Sequence, residues 1–266
     1  MKRAVWITDI HLNFLTPQAT ALFLEQVQAA RPDAVLLSGD TAEAPDVIEF
    51  LEQIGSSLSQ PVYFVLGNHD FYLGSIRQVR ELAVVLTRRR KNLVYLSASE
   101  VHELTPRVGL IGHDGWADAR IGDYEHSMVM MNDYLLIEEL AGFSKAERRP
   151  HLRALGDETA AHIRRVLPLA LARYPQVILL THVPPFREAC WHEGQISDDE
   201  WAPHFTCKAL GDVLLEIMPQ YPDHTLTVLC GHTHSPGKTR PLDNLLILTG
   251  GATYGQPEVQ RVFELK

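Results

Sequence analysis

Short apolar runs recur along the chain, and several of them stop on the same kind of punctuation. Ala4 to Thr8, Ala34 to Leu37, Val62 to Leu66, Val177 to Leu180 and Leu226 to Cys230 are each four to five residues long and almost wholly hydrophobic. Runs of that length without polar alternation predict strands buried on both faces. Between the first three lie segments with helical periodicity. One begins at Thr16-Pro17 and presents Leu22, Phe23 and Val27 inward, a second covers about Pro45 to Ser57, and a third runs from about Gly74 to Lys91. Strand and helix in alternation predict parallel βαβ units for the opening half. Leu93 to Leu96 and Val108 to Ile111 read as further strands, Asp157 to Tyr174 as a helix that Pro168 should kink or split, and Cys207 to Met218 as another helix. Leu245 to Leu248 and Gln260 to Glu264 complete a sheet whose short connections suggest antiparallel pairing. Periodicity weakens between Ala117 and about Arg153, the place expected for a cap or insertion over a site. No repeat or low-complexity linker interrupts the chain, so residues 1–266 are expected to form one α/β domain.

Each of the five runs ends in polar side chains. Asp9 and His11 follow the first, Asp40 the second, Asn68, His69 and Asp70 the third, His182 the fourth, and His232 and His234 the fifth. Singly, each has an ordinary explanation, since an Asp at a strand end caps helices and a His is commonly a hydrogen-bonded surface group. In an open α/β sheet, however, the carboxyl ends of the strands border one crevice. Gathered there, two Asp, one Asn and four His form an oxygen and imidazole donor set without thiolate. Such a set suits Mn²⁺, Fe or Zn²⁺ in a reactive site better than a structural zinc. The x-spaced pairs Asp9/His11 and His232/His234 would share a face if their strands continued, and Gly39, Gly67 and Gly231 allow sharp turns just before the donors. Seven ligands exceed what one ion takes; two ions roughly 3.5–4 Å apart with a carboxylate bridge would use them all.

These motifs, Asp9-x-His11, Gly39-Asp40, Gly67-Asn68-His69-Asp70, a later His182 and Gly231-His232-x-His234, resemble the calcineurin-like metallophosphoesterases in order, type and spacing. The resemblance implies an αββα sandwich of two mixed β-sheets flanked by helices, with a dinuclear centre. Asp9, His11, Asp40 and His234 would hold one ion, and Asp40, Asn68, His182 and His232 the other, with Asp40 as the bridge. It implies hydrolysis of a phosphate ester by a water that the two cations acidify. His69 would protonate the leaving alkoxide, with Asp70 orienting its ring, and Asn68, His69 and His113 would meet the substrate. His113-Asp114 has a plain structural role as the competing account. His192, His204, Trp191 and Trp201 are candidates for lining a pocket or for ordinary loop packing.

Composition narrows the substrate. The chain carries 24 Lys+Arg against 33 Asp+Glu, a net charge of −9, which disfavours binding nucleic acid through a broad basic face. The one basic run, Arg88 to Lys91, reads as a solvated helix end. Asp40 is followed by Thr41-Ala42-Glu43-Ala44, unlike the protein phosphatases, and His69 stands where the similar lipid-A pathway pyrophosphatases usually carry Arg. The Asn-His-Asp form is more similar to the phosphodiesterase branch. A small soluble phosphodiester or monoester is therefore the expected substrate. A nuclease or nucleotide-sugar pyrophosphatase of the same fold, and a non-catalytic protein-binding scaffold, are the alternatives. Three scattered cysteines make neither a zinc ribbon nor a disulfide framework, and Cys190 has no base beside it in sequence to activate it. Asp9 interrupts any leader-like apolar run, and no stretch reaches the roughly 18 apolar residues of a membrane span. These features predict a cytoplasmic protein; oligomeric state does not follow from them.

Overall fold

The computed structural model describes residues 1–266. In chain order the strands and helices begin with β1 (Lys2–Ile7), α1 (Pro17–Ala29), β2 (Ala34–Ser38), α2 (Val47–Ser57), β3 (Val62–Val65), α3 (Ile76–Arg89) and β4 (Leu93–Tyr95). They continue with β5 (His102–Thr105), β6 (Val108–Gly112), α4 (Asp133–Leu136), α5 (Lys145–Leu171) and β7 (Gln176–Leu180). A small hairpin, β8 (Trp191–His192) and β9 (Gln195–Ile196), precedes α6 (Ala202–Phe205) and α7 (Lys208–Ile217). The chain closes with β10 (Thr225–Cys230), β11 (Gly237–Leu242), β12 (Leu245–Thr249) and β13 (Arg261–Leu265).

Two large sheets result, ordered β13-β1-β2-β3-β4 and β11-β12-β10-β7-β6-β5. One cluster of apolar side chains, including Ala4, Trp6, Leu36, Val65, Leu110, Leu180 and Leu229, joins strands of both sheets. A second cluster packs Val5, Ile7, Val35 and Leu37 against α1 to α3, and a third packs Leu179 and Val228 against α5 and α7. The order is helices, sheet, sheet, helices. Burial on both faces explains why β1, β2, β7 and β10 read as continuous apolar runs.

Pairing is parallel through β1 to β4 and through β6, β7, β10 and β12. Antiparallel pairs are confined to the edges, at β13/β1, β11/β12 and β5/β6. The closing strands do pair antiparallel, β12 with β11 and β13 with β1, but they do not complete one sheet: β12 also runs parallel to β10, while β13 returns to the first sheet. Two edge strands, β5 and β11, carry too little apolar sequence to be read in advance. Pro241 sits in β11, where an edge tolerates its missing donor.

On α1 the buried positions are Thr20, Phe23, Leu24 and Val27; Phe23 and Val27 face inward as expected, whereas Leu22 is 59% exposed and Leu24 takes its place. Helix α5 begins at Lys145 rather than Asp157. Ser144 and Glu147 form a reciprocal capping box there, so the helix absorbs the last nine residues of the expected cap region. Pro150 and Pro168 both lie inside it without splitting it. Burial of Leu152, Ile163, Val166, Leu167 and Ala170 outweighs the lost backbone bonds.

Candidate metal centre

The carboxyl ends of β1, β2 and β3 in one sheet, and of β7 and β10 in the other, meet at one rim. Beyond each strand the backbone turns abruptly. Nine non-glycine residues have positive φ, and five of them are Asp9, His11, Asp40, His232 and His234. Left-handed backbone in such residues is sparsely populated, and its concentration here marks a site where geometry overrides local preference. It also corrects the strand-periodicity argument for Asp9/His11 and His232/His234: β1 ends at Ile7 and β10 at Cys230. These pairs converge through left-handed turns. The glycines matter for space, because a Cβ on Gly67 would collide with the Asp40 carboxylate and one on Gly231 with that of Asp9.

Donor atoms of Asp9, His11, Asp40 and His234 all lie within 4.8 Å of one another. His11 Nε2 is 3.1 Å from His234 Nε2 and 3.8 Å from Asp40 Oδ2, and His234 Nε2 is 3.5 Å from Asp9 Oδ1. On the other side of Asp40, its Oδ2 is 3.4 Å from His182 Nε2. Asn68 Oδ1 there meets His182 Nε2 at 3.0 Å and His232 Nδ1 at 2.9 Å. Asp40 therefore stands between two donor groups.

Ring orientations are fixed from behind. A carbonyl can only accept, so His182 Nδ1–H donates to Ser38 O at 3.0 Å and His232 Nε2–H donates to His204 O at 3.0 Å. Asp9 is held by the His232 amide at 2.9 Å and the Thr8 hydroxyl at 2.6 Å. Asn68 Nδ2 donates to Asp133 Oδ1 at 2.8 Å, and the Tyr72 hydroxyl donates to the same oxygen at 2.7 Å. That clamp aims Asn68 Oδ1 at the histidines.

Burial, with the charge on His182, lowers His232 to about 4, so its imidazole is neutral at neutral pH. Its Nδ1 lone pair then faces the Asn68 oxygen, acceptor against acceptor. Burial also lowers His11 to about 4, against the pull of Asp40 and Asp9, and its Nε2 faces a second imidazole nitrogen. The His232–Asn68 contact is a poor hydrogen bond and a good cation cradle. Burial opposes charge on His182 as well, yet the Asp40 carboxylate beside it raises it to about 10. Asp40 is correspondingly held well below the usual carboxylate range despite its own burial. The residues present fit a pair of cations.

A sequence model of the calcineurin-like phosphoesterases matches residues 2–236. The chain belongs to that family. The solved phosphopantetheinyl hydrolase of Mycobacterium tuberculosis superposes with a TM-score of 0.66 at 16% identity, over 93% of this chain and 89% of that one. A dimetal phosphatase from Danio rerio gives 0.57 at 14%, over 96% and 89%. At such identities the likeness shows the fold, an αββα metallophosphoesterase sandwich. Among curated proteins, a UDP-2,3-diacylglucosamine hydrolase of Coxiella burnetii is 34% identical over 87 residues, 28% of this chain and 35% of the relative. One of Yersinia pseudotuberculosis is 32% identical over 134 residues, 46% and 52% respectively. The chain thus spans between about a third and a half of the length of these curated relatives.

Two expected roles change with the geometry. The Asp70 carboxylate accepts from the amides of Thr41, Ala42 and Gly67 at 2.8, 3.0 and 2.8 Å and does not orient the His69 ring. It ties the loop after β2 to the loop after β3. His113 is not brought to the cleft of Asn68, His69, His232 and His234. It lines a separate hollow with Arg80, Tyr95 and Glu158, its ring against His162. Its neighbour Asp114, fully buried, accepts from Leu66 N, Arg80 Nε, Tyr95 OH and Ser97 Oγ, while its carbonyl accepts from the His182 amide at 2.7 Å. It is a buried link between the Asn68 and His182 strand ends. Of the loop candidates, His192 and Trp201 line the cleft, Trp191 lines another hollow, and His204 is buried against Ser127 and Tyr134.

His69 borders the cleft, its Nε2 3.5 Å from the Tyr254 hydroxyl and its amide bonded to Asp40 Oδ1 at 2.9 Å. Sequence reasoning missed Asp133, Tyr72 and Tyr254. Tyr254 packs over His11 and His234 at 4.6 and 5.0 Å between ring centroids. No local pattern marked any of the three.

Proposed function

We propose that the chain hydrolyses phosphate esters of small soluble molecules with two cations, one held by Asp9, His11, Asp40 and His234 and the other by Asp40, Asn68, His182 and His232. The observation that carries this reading is the position of Asp40 between two convergent groups of oxygen and imidazole donors. When bound, two such cations would withdraw charge from phosphoryl oxygens and lower the pKa of a nucleophilic water. The oxygen and imidazole donors, without thiolate, favour Mn²⁺ or Fe, with Zn²⁺ able to substitute. Water oxygen joins phosphorus, the ester P–O bond breaks, and the alcohol leaves with the bonding pair and a proton. His69, at the cleft wall, is the group placed to give that proton.

Residues 1–266 are taken as one domain, with part of the 117–153 segment as cap. The Asp133 bond to Asn68 and the contribution of Met130, Met131 and Asn132 to the cleft support this. No helix is long and apolar enough to cross a membrane; the free, buried thiols support a reducing, cytoplasmic setting. The names of the curated relatives favour a nucleotide-sugar diphosphate ester as the second reading.

Turnover of bis(p-nitrophenyl) phosphate with Mn²⁺, read beside metal content, tests the proposal. Asp40→Ala should lose both ions and all turnover. His69→Ala should keep its metal and lose about 10²–10⁴ in kcat. Full metal retention in Asp40→Ala would refute the bridging assignment, and metal loss in His69→Ala would refute the acid.

A further inference from the structure

The cleft that opens on the metal centre has a composition that bears on the organic part of the substrate. It measures about 350 Å³ and has 13 lining residues. Asn68, His69, His232 and His234 form its floor. One wall is a cluster of three rings. Trp201 and Phe205 are stacked at 5.2 Å and 22°, and His192 leans on Trp201 at 4.6 Å. Phe205 meets the His232 ring edge-on at 5.3 Å, which sets this wall directly beside the metal ligands. Tyr254 borders the other side, 48% exposed, with Met130 and Met131 at the rim.

Two absences from that lining are informative. It contains no Lys, Arg, Asp or Glu, so beyond the cations nothing in the cleft carries a fixed charge to recognise a second anionic or cationic group. It also contains no Leu, Ile or Val. Its apolar surface is aromatic or methionine, and rigid ring faces hold a flat partner with little loss of freedom. A volume at the small end of the range for ligand pockets suits a group of one or two rings.

We infer that the substrate's organic group is an uncharged, flat, unsaturated ring carried close to the phosphorus and held against the His192–Trp201–Phe205 wall. This deepens the hydrolase reading and rests on it. Beyond that wall the lining offers Met130 and Met131 at the rim and uncharged polar groups such as Asn132 and Thr233, with no Lys or Arg to pair with a second phosphate.

The test compares a size-matched pair of ligands that differ in flatness, and a third that adds a charge, on the full chain loaded with Mn²⁺. Calorimetric affinities of benzylphosphonate, cyclohexylmethylphosphonate and 4-carboxybenzylphosphonate need no turnover. Benzylphosphonate should bind about threefold to tenfold more tightly than its saturated counterpart, and the carboxylated form more weakly than the benzyl. Trp201→Leu, which keeps apolar bulk and removes the flat face, should bring the benzyl-to-cyclohexylmethyl ratio close to one. Equal binding of the two in the unmodified protein overturns the inference without any variant, as does an unchanged ratio in Trp201→Leu. Benzyl and cyclohexylmethyl esters, each as phosphate monoester and methyl diester, then separate the two readings. A flat-ring preference in binding with no ester cleaved would sink the hydrolase and leave the recognition intact. Cleavage of both alcohols' esters at equal kcat/KM, with equal phosphonate binding, would do the reverse.

Discussion

Asp70 has both carboxylate oxygens committed to backbone amides of two loops that carry Asp40 and Asn68. Asp70→Asn turns one acceptor into a donor facing a buried N–H, which should cost about 1–3 kcal/mol of stability and weaken metal affinity. Melting and metal titration of the apo and loaded protein check this; a change in turnover at unaltered melting and metal affinity would return Asp70 to a role at the His69 ring. His182 gives a pH signature. Its folded pKa, about 10, lies above the unfolded value, so the stability from its pairing with Asp40 is complete below the unfolded pKa of about 6.5 and fades as pH rises toward 10. The apo protein should therefore melt at lower temperature as pH is raised through that window. Metal uptake at pH 8 should release about one proton per chain from the same ring, read by dye or pH-stat; uptake without proton release would contradict the pairing.

Among the elements, α5 shows how a local signal and a tertiary one divide the work. Ser144 and Glu147 start the helix, and that signature was present in the sequence, ahead of a stretch whose apolar periodicity is weak. Its two prolines argued for a break, but packing against the second sheet and α7 keeps it whole. Ser144→Ala should lower stability by about 1 kcal/mol, a Tm loss of about 2–4 °C, with metal content and turnover unchanged. A coupled loss of metal would mean that α5 reaches the site more directly than its position indicates. The rim loops behave differently. They carry donors on left-handed backbone, and their shape is dictated by contacts such as Asp9 with the His232 amide, from opposite ends of the chain.

At the scale of the molecule, the candidate ligands are shared between the sheets. Asp9, His11, Asp40 and Asn68 follow strands of the first, and His182, His232 and His234 follow strands of the second. Cations bound between them would join the two halves, so removal by a chelator should lower Tm, and Mn²⁺ should restore it in the unmodified protein but not in Asp40→Ala. A melting curve indifferent to metal would place the ions elsewhere or nowhere. The five strand ends and their polar residues were legible without a structure, because burial on both faces imposes continuous apolar runs and each run must end somewhere. The partners that orient those residues were not. Asp133 stands 65 residues from Asn68 and Tyr254 stands 185 from His69, and a single Asp or Tyr on a weakly patterned loop has no spacing to betray it. The sequence alone determined which side chains end the buried strands and what ions such donors prefer, since both follow from local hydrophobicity and ligand chemistry. Only the tertiary structure decided that Asp40 stands between the two donor groups, that Asp70 binds backbone rather than His69, and that aromatic rings wall the cleft. Those outcomes depend on which loops the packed sheets bring within a few ångströms, and no stretch of chain encodes that by itself.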